Sequence, residues 1–306
     1  MRILFMGTPE FAVASLRRLV EDGHTICGVY TQPDKPKNRG HKLAFSPVKE
    51  YALTQKLPVF QPQSLRSEEA AAQVRELAPE LIVVAAYGKL LPEEILETPP
   101  KGSINVHSSL LPRYRGAAPI NWAILNGETE TGVSIMYMAK ELDAGDVILQ
   151  KSTAIGPRED AQALTERLAA LGADALSETV RVLESGMAER RPQDHSLHTY
   201  APMLDKKLSP VDWSRSAHEI NCQIRGLIPW PCATTDIIDG KPMKLFASEE
   251  TGETTKILPG VIIAAGKMGI EVACGDGKIL RLTEIQANGG KRMAAAAYLL
   301  GHPIQG

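Results

Sequence analysis

The sequence lacks several features that would place it in a narrow class. Its four cysteines are never closer than ten residues apart, so it has none of the CxxC pairs of zinc ribbons and dithiol redox proteins. It has no run of 18 apolar residues and therefore predicts no membrane span. The GxGxxG fingerprint is missing after the first apolar run, so a dinucleotide cofactor is not supported. These absences predict a protein of a reducing compartment, which we expect to be the cytoplasm.

The chain also lacks an excess of charge of either sign. It has 34 Lys and Arg against 36 Asp and Glu, a net charge of −2 over 306 residues. Proteins that bind nucleic acid usually show a basic excess, so the whole-chain charge argues against such a partner. Hydrophobic residues at 43% and charged residues at 23% are ordinary for a globular protein, and the length favours two domains.

Short apolar runs alternate with helical patterns over the first half of the chain. Residues 3–6, 26–31, 81–86 and 103–107 predict strands, and the apolar spacing of residues 9–20 predicts a helix. This alternation predicts an α/β domain with a Rossmann-like, mostly parallel sheet. Ligands of such sheets bind beyond the carboxyl ends of the strands.

The pattern changes after a long helical stretch at residues 161–186. The segment that follows has little periodicity, and residues 214–226 then predict a helix with Ser214 as its N-cap. Short β-like runs separated by Asp-Gly and Pro-Gly dipeptides predict a small OB-like β-barrel. We expect three segments: a catalytic domain at 1–188, an interdomain linker at 189–208 and the β-barrel domain at 209–306.

Asn105, His107 and Asp143 are the candidate catalytic residues. Asn105 and His107 end a predicted strand and, being two residues apart, project to the same face. Asp143 follows a predicted strand at residues 133–138. An amide, an imidazole and a carboxylate at one sheet edge can stabilise an oxyanion and move a proton. By spacing alone a structural role is more common, both for a histidine at a strand end and for an aspartate in an Asp-Ala-Gly turn.

A resemblance to a known family makes the catalytic role the favoured one for these three residues. Residues 103–148, which include NVHSSLLPRYRG and LDAGDVI, resemble the folate-dependent formyltransferases, above all the members that formylate methionyl-tRNA. RILFMGTPEF at residues 2–11, the segment at 31–49 and TYAPML at 199–204 extend the likeness over both predicted domains.

The resemblance implies a reaction and a set of roles. Asn105, His107 and Asp143 match the family's catalytic triad. The implied reaction transfers a formyl group from 10-formyltetrahydrofolate to the α-amine of methionyl-initiator tRNA, for translation initiation and without a metal. The implied folate-binding residues are Ser109, Leu110, Leu111, Pro112, Tyr87, Gly88, Leu91, Met138 and Leu142.

A basic segment near the N-terminus indicates which molecule accepts the formyl group. Residues 35–49 contain five Lys or Arg and no acidic residue, and a basic loop broken by Pro and Gly suits phosphate contacts. The segment resembles the loop with which the tRNA enzymes engage the acceptor stem. Met203 stands where the family usually has Lys, so a phosphate contact from this position is doubtful. Lys206 could partly substitute for it. The implied tRNA-binding residues are Lys35, Lys37, Arg39, His41, Lys42 and Lys206, and the β-barrel domain is expected to touch tRNA as well.

Two other interpretations stay open. Formyltransferases that act on a sugar-nucleotide amine share the triad and can carry a second module. A non-catalytic protein that binds folate or nucleic acid could have kept the fold, although a pure binder needs no such triad.

We expect a monomer, because two domains facing one tRNA need no partner chain.

Overall fold

The computed structural model describes residues 1–36 and 43–304, which form two compact units. The first unit comprises residues 1–116, 132–153 and 165–200, and the second takes in 117–131, 154–164 and the chain from 201 onward. Each unit is thus assembled from separate stretches of sequence. The segment at 189–208 is shared between them, with the division after Tyr200.

Ten strands and six helices lie in the described residues before 185. The strands are β1 Arg2–Gly7, β2 Thr25–Tyr30, β3 Lys35–Pro36, β4 Leu43–Ala44, β5 Val59–Phe60, β6 Leu81–Ala85, β7 Ser103–His107, β8 Arg115–Gly116, β9 Glu130–Tyr137 and β10 Val147–Ala154. The helices are α1 Glu10–Glu21, α2 Pro47–Thr54, α3 Glu68–Leu77, α4 Glu93–Leu96, α5 Pro119–Leu125 and α6 Ala161–Glu184.

Seven of these strands form one sheet in the order β10-β9-β7-β6-β1-β2-β5. Strands β7, β6, β1, β2 and β5 pair in parallel, and β9 pairs with β7 in the antiparallel direction. The prediction of a mostly parallel α/β sheet is confirmed. The four strands predicted from apolar runs are β1, β2, β6 and β7, which lie next to one another in the middle of the sheet.

The centre of the sheet is buried on both faces. All five residues of β6 are buried, as expected for a parallel strand covered by helices. Helix α1 buries Phe11, Leu16 and Leu19 among others, which share one helical face. Burial of each large apolar side chain stabilises the fold by about 1.5–3 kcal/mol. This core fixes the carboxyl ends of β6 and β7, where the candidate residues lie.

The second part of the chain holds a smaller antiparallel sheet, as predicted. The elements here are β11 Tyr200–Ala201, α7 Ala217–Gly226, β12 Ala233–Thr235, β13 Met243–Thr254, β14 Ile262–Gly266, β15 Gly269–Ala273, β16 Lys278–Gln286, β17 Met293–Ala294 and α8 Ala295–Gly301, with single 3₁₀ turns at His195–Leu197 and Lys206–Leu208. The described strands of the sheet pair in the order β12-β13-β16-β15-β14, with β17 beside β16.

The prediction that Ser214 caps a helix was wrong, because Ser216 is the N-cap of α7. The Ser216 hydroxyl accepts a hydrogen bond from the Glu219 N–H, and the Glu219 carboxylate accepts one from the Ser216 N–H. This reciprocal pair needs a Glu or Gln three residues after the cap, and Ser214 is followed at that distance by Ala217. The Ser214 hydroxyl instead donates to Asp212.

Candidate active site

Strand β7 presents Asn105 at the centre of the sheet. Asn105 pairs in register with Val84 of β6 and Met136 of β9. It is half-buried, whereas Ile104 and Val106 on its two sides are buried. The strand therefore exposes one polar side chain at a position whose neighbours belong to the core.

His107 is buried, and both nitrogens of its ring have neighbours. Nε2 lies 2.9 Å from the carbonyl oxygen of Tyr114, which only accepts hydrogen bonds, so Nε2 carries a proton and donates it. Nδ1 lies 3.7 Å from Oδ2 of Asp143. The ring is thus anchored to the backbone on one side and faces a carboxylate on the other.

Asp143 belongs to a loop of residues 138–146, here called the Asp143 loop. Its Oδ2 accepts a hydrogen bond of 2.9 Å from the N–H of Gly116. Its backbone φ is +51°, in the left-handed region that costs a residue other than glycine about 1 kcal/mol or more. Aspartate tolerates this conformation better than most residues, but contacts elsewhere must hold it.

Gly145 allows the Asp143 loop to close. A Cβ at this position would collide with the carbonyl oxygen of Tyr137. The loop is closed next to it by the Tyr137 N–H, which donates to the carbonyl oxygen of Asp146 at 2.9 Å. Any side chain at position 145 would therefore push the two ends of the loop apart.

A buried side chain that no sequence pattern marks, Gln193, also contacts this loop, and a second one, Arg115, contacts Gln193. The Gln193 amide donates to the carbonyl oxygens of Asp143 and Gly145, at 2.9 and 2.7 Å. The Gln193 carbonyl accepts from Nε and Nη2 of Arg115, at 3.1 and 2.7 Å. Gln193 lies in the predicted linker, 50 residues after Asp143, and no local motif marks such a contact.

Asn105 and Asp143 line the same cavity, which has a volume of about 1120 Å³. A cavity of this size accommodates a cofactor-sized organic molecule. Of the implied folate-binding residues, Leu91, Met138 and Leu142 line it. The cavity is thus lined both by apolar side chains and by the Asn105 amide and the Asp143 carboxylate.

The loop of residues 109–112 lies outside the lining of this cavity, and its backbone is fixed by hydrogen bonds. The Ser134 hydroxyl donates to the Ser109 carbonyl at 2.6 Å and accepts from the Leu111 N–H at 3.1 Å. Leu111 is buried in a cluster with Met136, which does line the cavity. Leu110 and Pro112 are half-buried, and the Leu111–Pro112 peptide bond is cis.

Tyr87 and Gly88 occupy different environments. Tyr87 is buried in the apolar core beside β6, and burial raises the pKa of its hydroxyl to about 12. Its carbonyl oxygen accepts from Thr8 and Gln32, each at 3.0 Å. Gly88 is exposed and has a φ of +81°, so it supplies a turn that a residue with a Cβ adopts only at a cost.

Most of the implied tRNA-binding residues lie outside the described part of the chain. These are Lys37, Arg39, His41 and Lys42. Lys35 begins the short strand β3, and Lys206 begins an exposed 3₁₀ turn.

One cation of the basic segment has a structural partner. The Lys49 ammonium donates to Asp34 at 2.5 Å and to Gln61 at 2.8 Å. Hydrogen bonds from Lys49 and Gln61 hold the pKa of Asp34 below its usual value. Lys49 therefore anchors the end of the segment.

Neither a metal centre nor a membrane span is found in the described residues. Nowhere within 1–36 and 43–304 do three His, Cys, Asp or Glu side chains gather as metal ligands would. No described helix is both long and apolar enough to cross a bilayer.

Family models match both parts of the chain. A model described as formyl transferase matches residues 1–180, and one described as formyl transferase, C-terminal domain, matches residues 203–303. The fold and these matches define the class of protein as a formyl transferase with a second, C-terminal domain.

Curated relatives narrow the class. The methionyl-tRNA formyltransferase of Trichlorobacter lovleyi is 51% identical over 304 residues, which are 99% of this chain and 95% of that protein. That of Alkaliphilus oremlandii is 50% identical over 305 residues, covering 100% of this chain and 98% of that protein. This chain belongs to the methionyl-tRNA formyltransferase family.

Solved structures at lower identity share the fold. An N-formyltransferase from Helicobacter canadensis, in complex with folinic acid and dTDP-3-aminofucose, has a TM-score of 0.70 at 19% identity. The match covers 92% of this chain and 98% of that one. HypX from Aquifex aeolicus in complex with tetrahydrofolic acid has a TM-score of 0.65 at 20% identity, covering 98% of this chain and 47% of that one.

Proposed function

We propose that this protein transfers the formyl group of 10-formyltetrahydrofolate to the α-amino group of methionyl-initiator tRNA. The observation that carries the proposal is the meeting of Asn105, His107 and Asp143 at the carboxyl end of β7, with two of the three lining the cavity. Family membership supplies the class of co-substrate and of acceptor.

The cavity suits a folate in both size and lining. Apolar side chains, among them Leu91, Met136 and Met138, contribute to its lining, and a flat ring system can pack against such side chains. We propose that the fixed backbone of residues 109–112 and the exposed turn at Gly88 complete the folate site. Bound 10-formyltetrahydrofolate supplies an electrophilic formyl carbon, and the remaining chemistry falls to the chain's own residues.

Asn105 is placed to donate an amide N–H to the formyl oxygen as negative charge develops there. A single oxyanion donor of this kind is worth about 10²- to 10³-fold in rate. An α-amino group has a pKa of about 7.7, so a useful fraction of the acceptor is free base near neutral pH. The site needs no strong base to activate it and works mainly by positioning.

Asp143 and His107 handle the proton. The Nε2 proton of His107 is committed to the Tyr114 carbonyl, so Nδ1 is the nitrogen that faces Asp143. The ring thereby faces the carboxylate across 3.7 Å between Nδ1 and Oδ2 and orients it. We propose that Asp143 accepts the proton released by the amine, which returns to N10 of the folate as that nitrogen leaves.

The tRNA is proposed to contact the segment around Arg39 and the exposed turn at Lys206. Lys206 is exposed, and Lys49 ties one end of the basic segment to Asp34. Cations in such loops contact phosphates and contribute affinity that falls as salt rises.

The test is a choice of acceptors. The enzyme is incubated with 10-formyltetrahydrofolate carrying a labelled formyl group and, separately, with methionyl-initiator tRNA, methionyl-elongator tRNA and a dTDP-linked amino sugar. We expect label in the initiator tRNA above all. Transfer to the amino sugar but not to the tRNA would overturn the proposed acceptor, and transfer to none would overturn the proposed reaction.

A further inference from the structure

We propose that Gln193 and Arg115 are positioning residues that set where the carboxylate of Asp143 stands beside His107. The inference rests on the proposed function, since it assigns these residues a task in the same site. Neither side chain lines the cavity, so both act through the Asp143 loop.

The amide of Gln193 holds the loop at the point where its backbone is strained. Its two N–H groups reach the carbonyl oxygens of Asp143 and Gly145, on the two sides of Ala144. Asp143 has the unfavourable positive φ, and a clamp on its own carbonyl oxygen stabilises that conformation. If these two bonds were lost, the carboxylate would move relative to Nδ1 of His107.

The guanidinium of Arg115 fixes the orientation of the Gln193 amide. Two of its N–H groups converge on the Gln193 carbonyl oxygen, so the amide nitrogen must point toward the loop. Arg115 is 7% exposed, and no carboxylate lies within ion-pair distance of it in the described part of the chain. Nη1 and Nη2 of Arg115 also lie 3.5 and 3.4 Å from Nδ1 of His195, so the guanidinium is held on more than one side.

The three consecutive residues 114–116 contact His107, Gln193 and Asp143 in turn. The Tyr114 carbonyl accepts from His107, the Gly116 N–H donates to the Asp143 carboxylate, and the Arg115 side chain between them orients Gln193. The segment is anchored in turn, because the Arg115 N–H donates to the Thr199 carbonyl at 2.9 Å. One short segment thus sets both partners of the His107–Asp143 pair.

The test variant is Gln193→Glu, which keeps an acceptor for Arg115 but has no N–H to donate. Its carboxylate repels the two carbonyl oxygens that the amide bound. We expect kcat for formylation of methionyl-tRNA to fall about 100-fold, the usual cost of a misplacement near 1 Å. KM for both substrates should stay within about threefold, because the cavity wall is intact. The concentration of competent enzyme is counted by calorimetric titration with folinic acid, so that kcat refers to folded protein only.

Gln223→Glu is the matched control. Gln223 is a second buried glutamine whose amide donates to two carbonyl oxygens, those of Leu208 and Pro210, in the second unit. It should lose more thermal stability than Gln193→Glu and keep its kcat, because Oε1 of Gln223 is buried without a hydrogen-bond partner in the described residues, whereas Oε1 of Gln193 faces Arg115. An unchanged kcat in Gln193→Glu, or an equal loss in both variants, would overturn the inference.

Two further variants cover the case in which Gln193→Glu does not fold. Gln193→Met keeps the length of the side chain without charge or donors and should lose kcat to the same degree. Arg115→Lys keeps the charge but offers one directed bond in place of two, so about a tenfold loss is expected. Wild-type kcat in either variant contradicts the inference. A wild-type enzyme that makes no formyl-methionyl-tRNA overturns the proposed function, and the inference with it.

Discussion

Strand β7 and the Asp143 loop reach the same site by different physical routes. The strand holds Asn105 and His107 through its own register with β6 and β9, and its alternation decides which side chains face the cavity. The loop holds Asp143 in an unfavourable backbone conformation, and its support comes from Gly116 and Gln193, far away in sequence. Regular structure thus supplies the fixed hydrogen-bond donor, while tertiary contacts supply the placement of the carboxylate.

The largest expected effect is that of Asp143→Asn. Asparagine can keep the hydrogen bond from Gly116, so the loop stays in place while the proposed proton acceptor and the charge facing His107 are lost. General acid–base groups contribute about 10²- to 10⁴-fold, and we expect a loss near the upper end in the rate of formyl-methionyl-tRNA formation. The control is Asp146→Asn in the same loop, which should stay within about threefold. A larger loss in the control would show that the loop, and not the carboxylate, had been disturbed.

The second effect concerns the strand. Asn105→Ala removes the proposed oxyanion donor, and we expect turnover to fall about 10²- to 10³-fold. Folate affinity, measured by calorimetric titration, should change little, because the apolar wall of the cavity remains. Turnover within a few-fold of wild type would mean that another group is the oxyanion donor.

A smaller effect is expected at the basic segment. Arg39→Ala should weaken tRNA binding and flatten the slope of log K against log salt by roughly one unit, as for one lost phosphate contact. The exposed Lys56 provides the control, since Lys56→Ala should leave the slope unchanged. Equal slopes for wild type and Arg39→Ala would remove this residue from the tRNA contact.

The smallest effect is on stability and lies in the second unit. Ser216→Ala removes the N-cap of α7 and should lower the free energy of unfolding by about 1 kcal/mol at pH 7 in urea titration, whereas Ser214→Ala should cost less. Hydrogen bonds from Ser216 lower the pKa of Glu219 to about 2. Because the folded-state value is the lower one, this contribution is present above the ordinary value near 4.5 and is lost as the pH falls toward 2. The difference between wild type and Ser216→Ala should therefore narrow toward pH 2 without vanishing, because the bond from the Glu219 N–H to the Ser216 hydroxyl does not titrate. A difference that grows as the pH falls would contradict this assignment.

The same contrast explains what could be predicted from the sequence. The four central strands were marked by short apolar runs, and the period of two placed Asn105 and His107 on one face. The strand pattern also offered Asp143, but only the family resemblance favoured a catalytic role for it, because an Asp-Ala-Gly turn has many uses. Gln193 and Arg115 were missed because a buried glutamine has no local signature and meets the loop only after folding. Ser214 and Ser216 both suit an N-cap by residue type, and only the glutamate three residues after Ser216 distinguishes them.

The net charge of −2 shows a similar limit of prediction from sequence. It argued against a nucleic-acid partner, although five cations lie within residues 35–49 and the acidic balance elsewhere conceals them. A whole-chain sum carries no information on clustering. The electrostatics of binding depend on local charge, because screening limits each group's reach to about 10 Å.

A double-mutant cycle decides whether strand β7 and the Asp143 loop serve one reaction centre. Single-turnover rates of formyl transfer to methionyl-initiator tRNA are measured for wild type, Asn105→Ala, Asp143→Asn and the double variant. Groups that act as one unit are non-additive, so we expect the double variant to be about as slow as Asp143→Asn alone. Losses that multiply in full would show that the two residues act independently and would contradict the account.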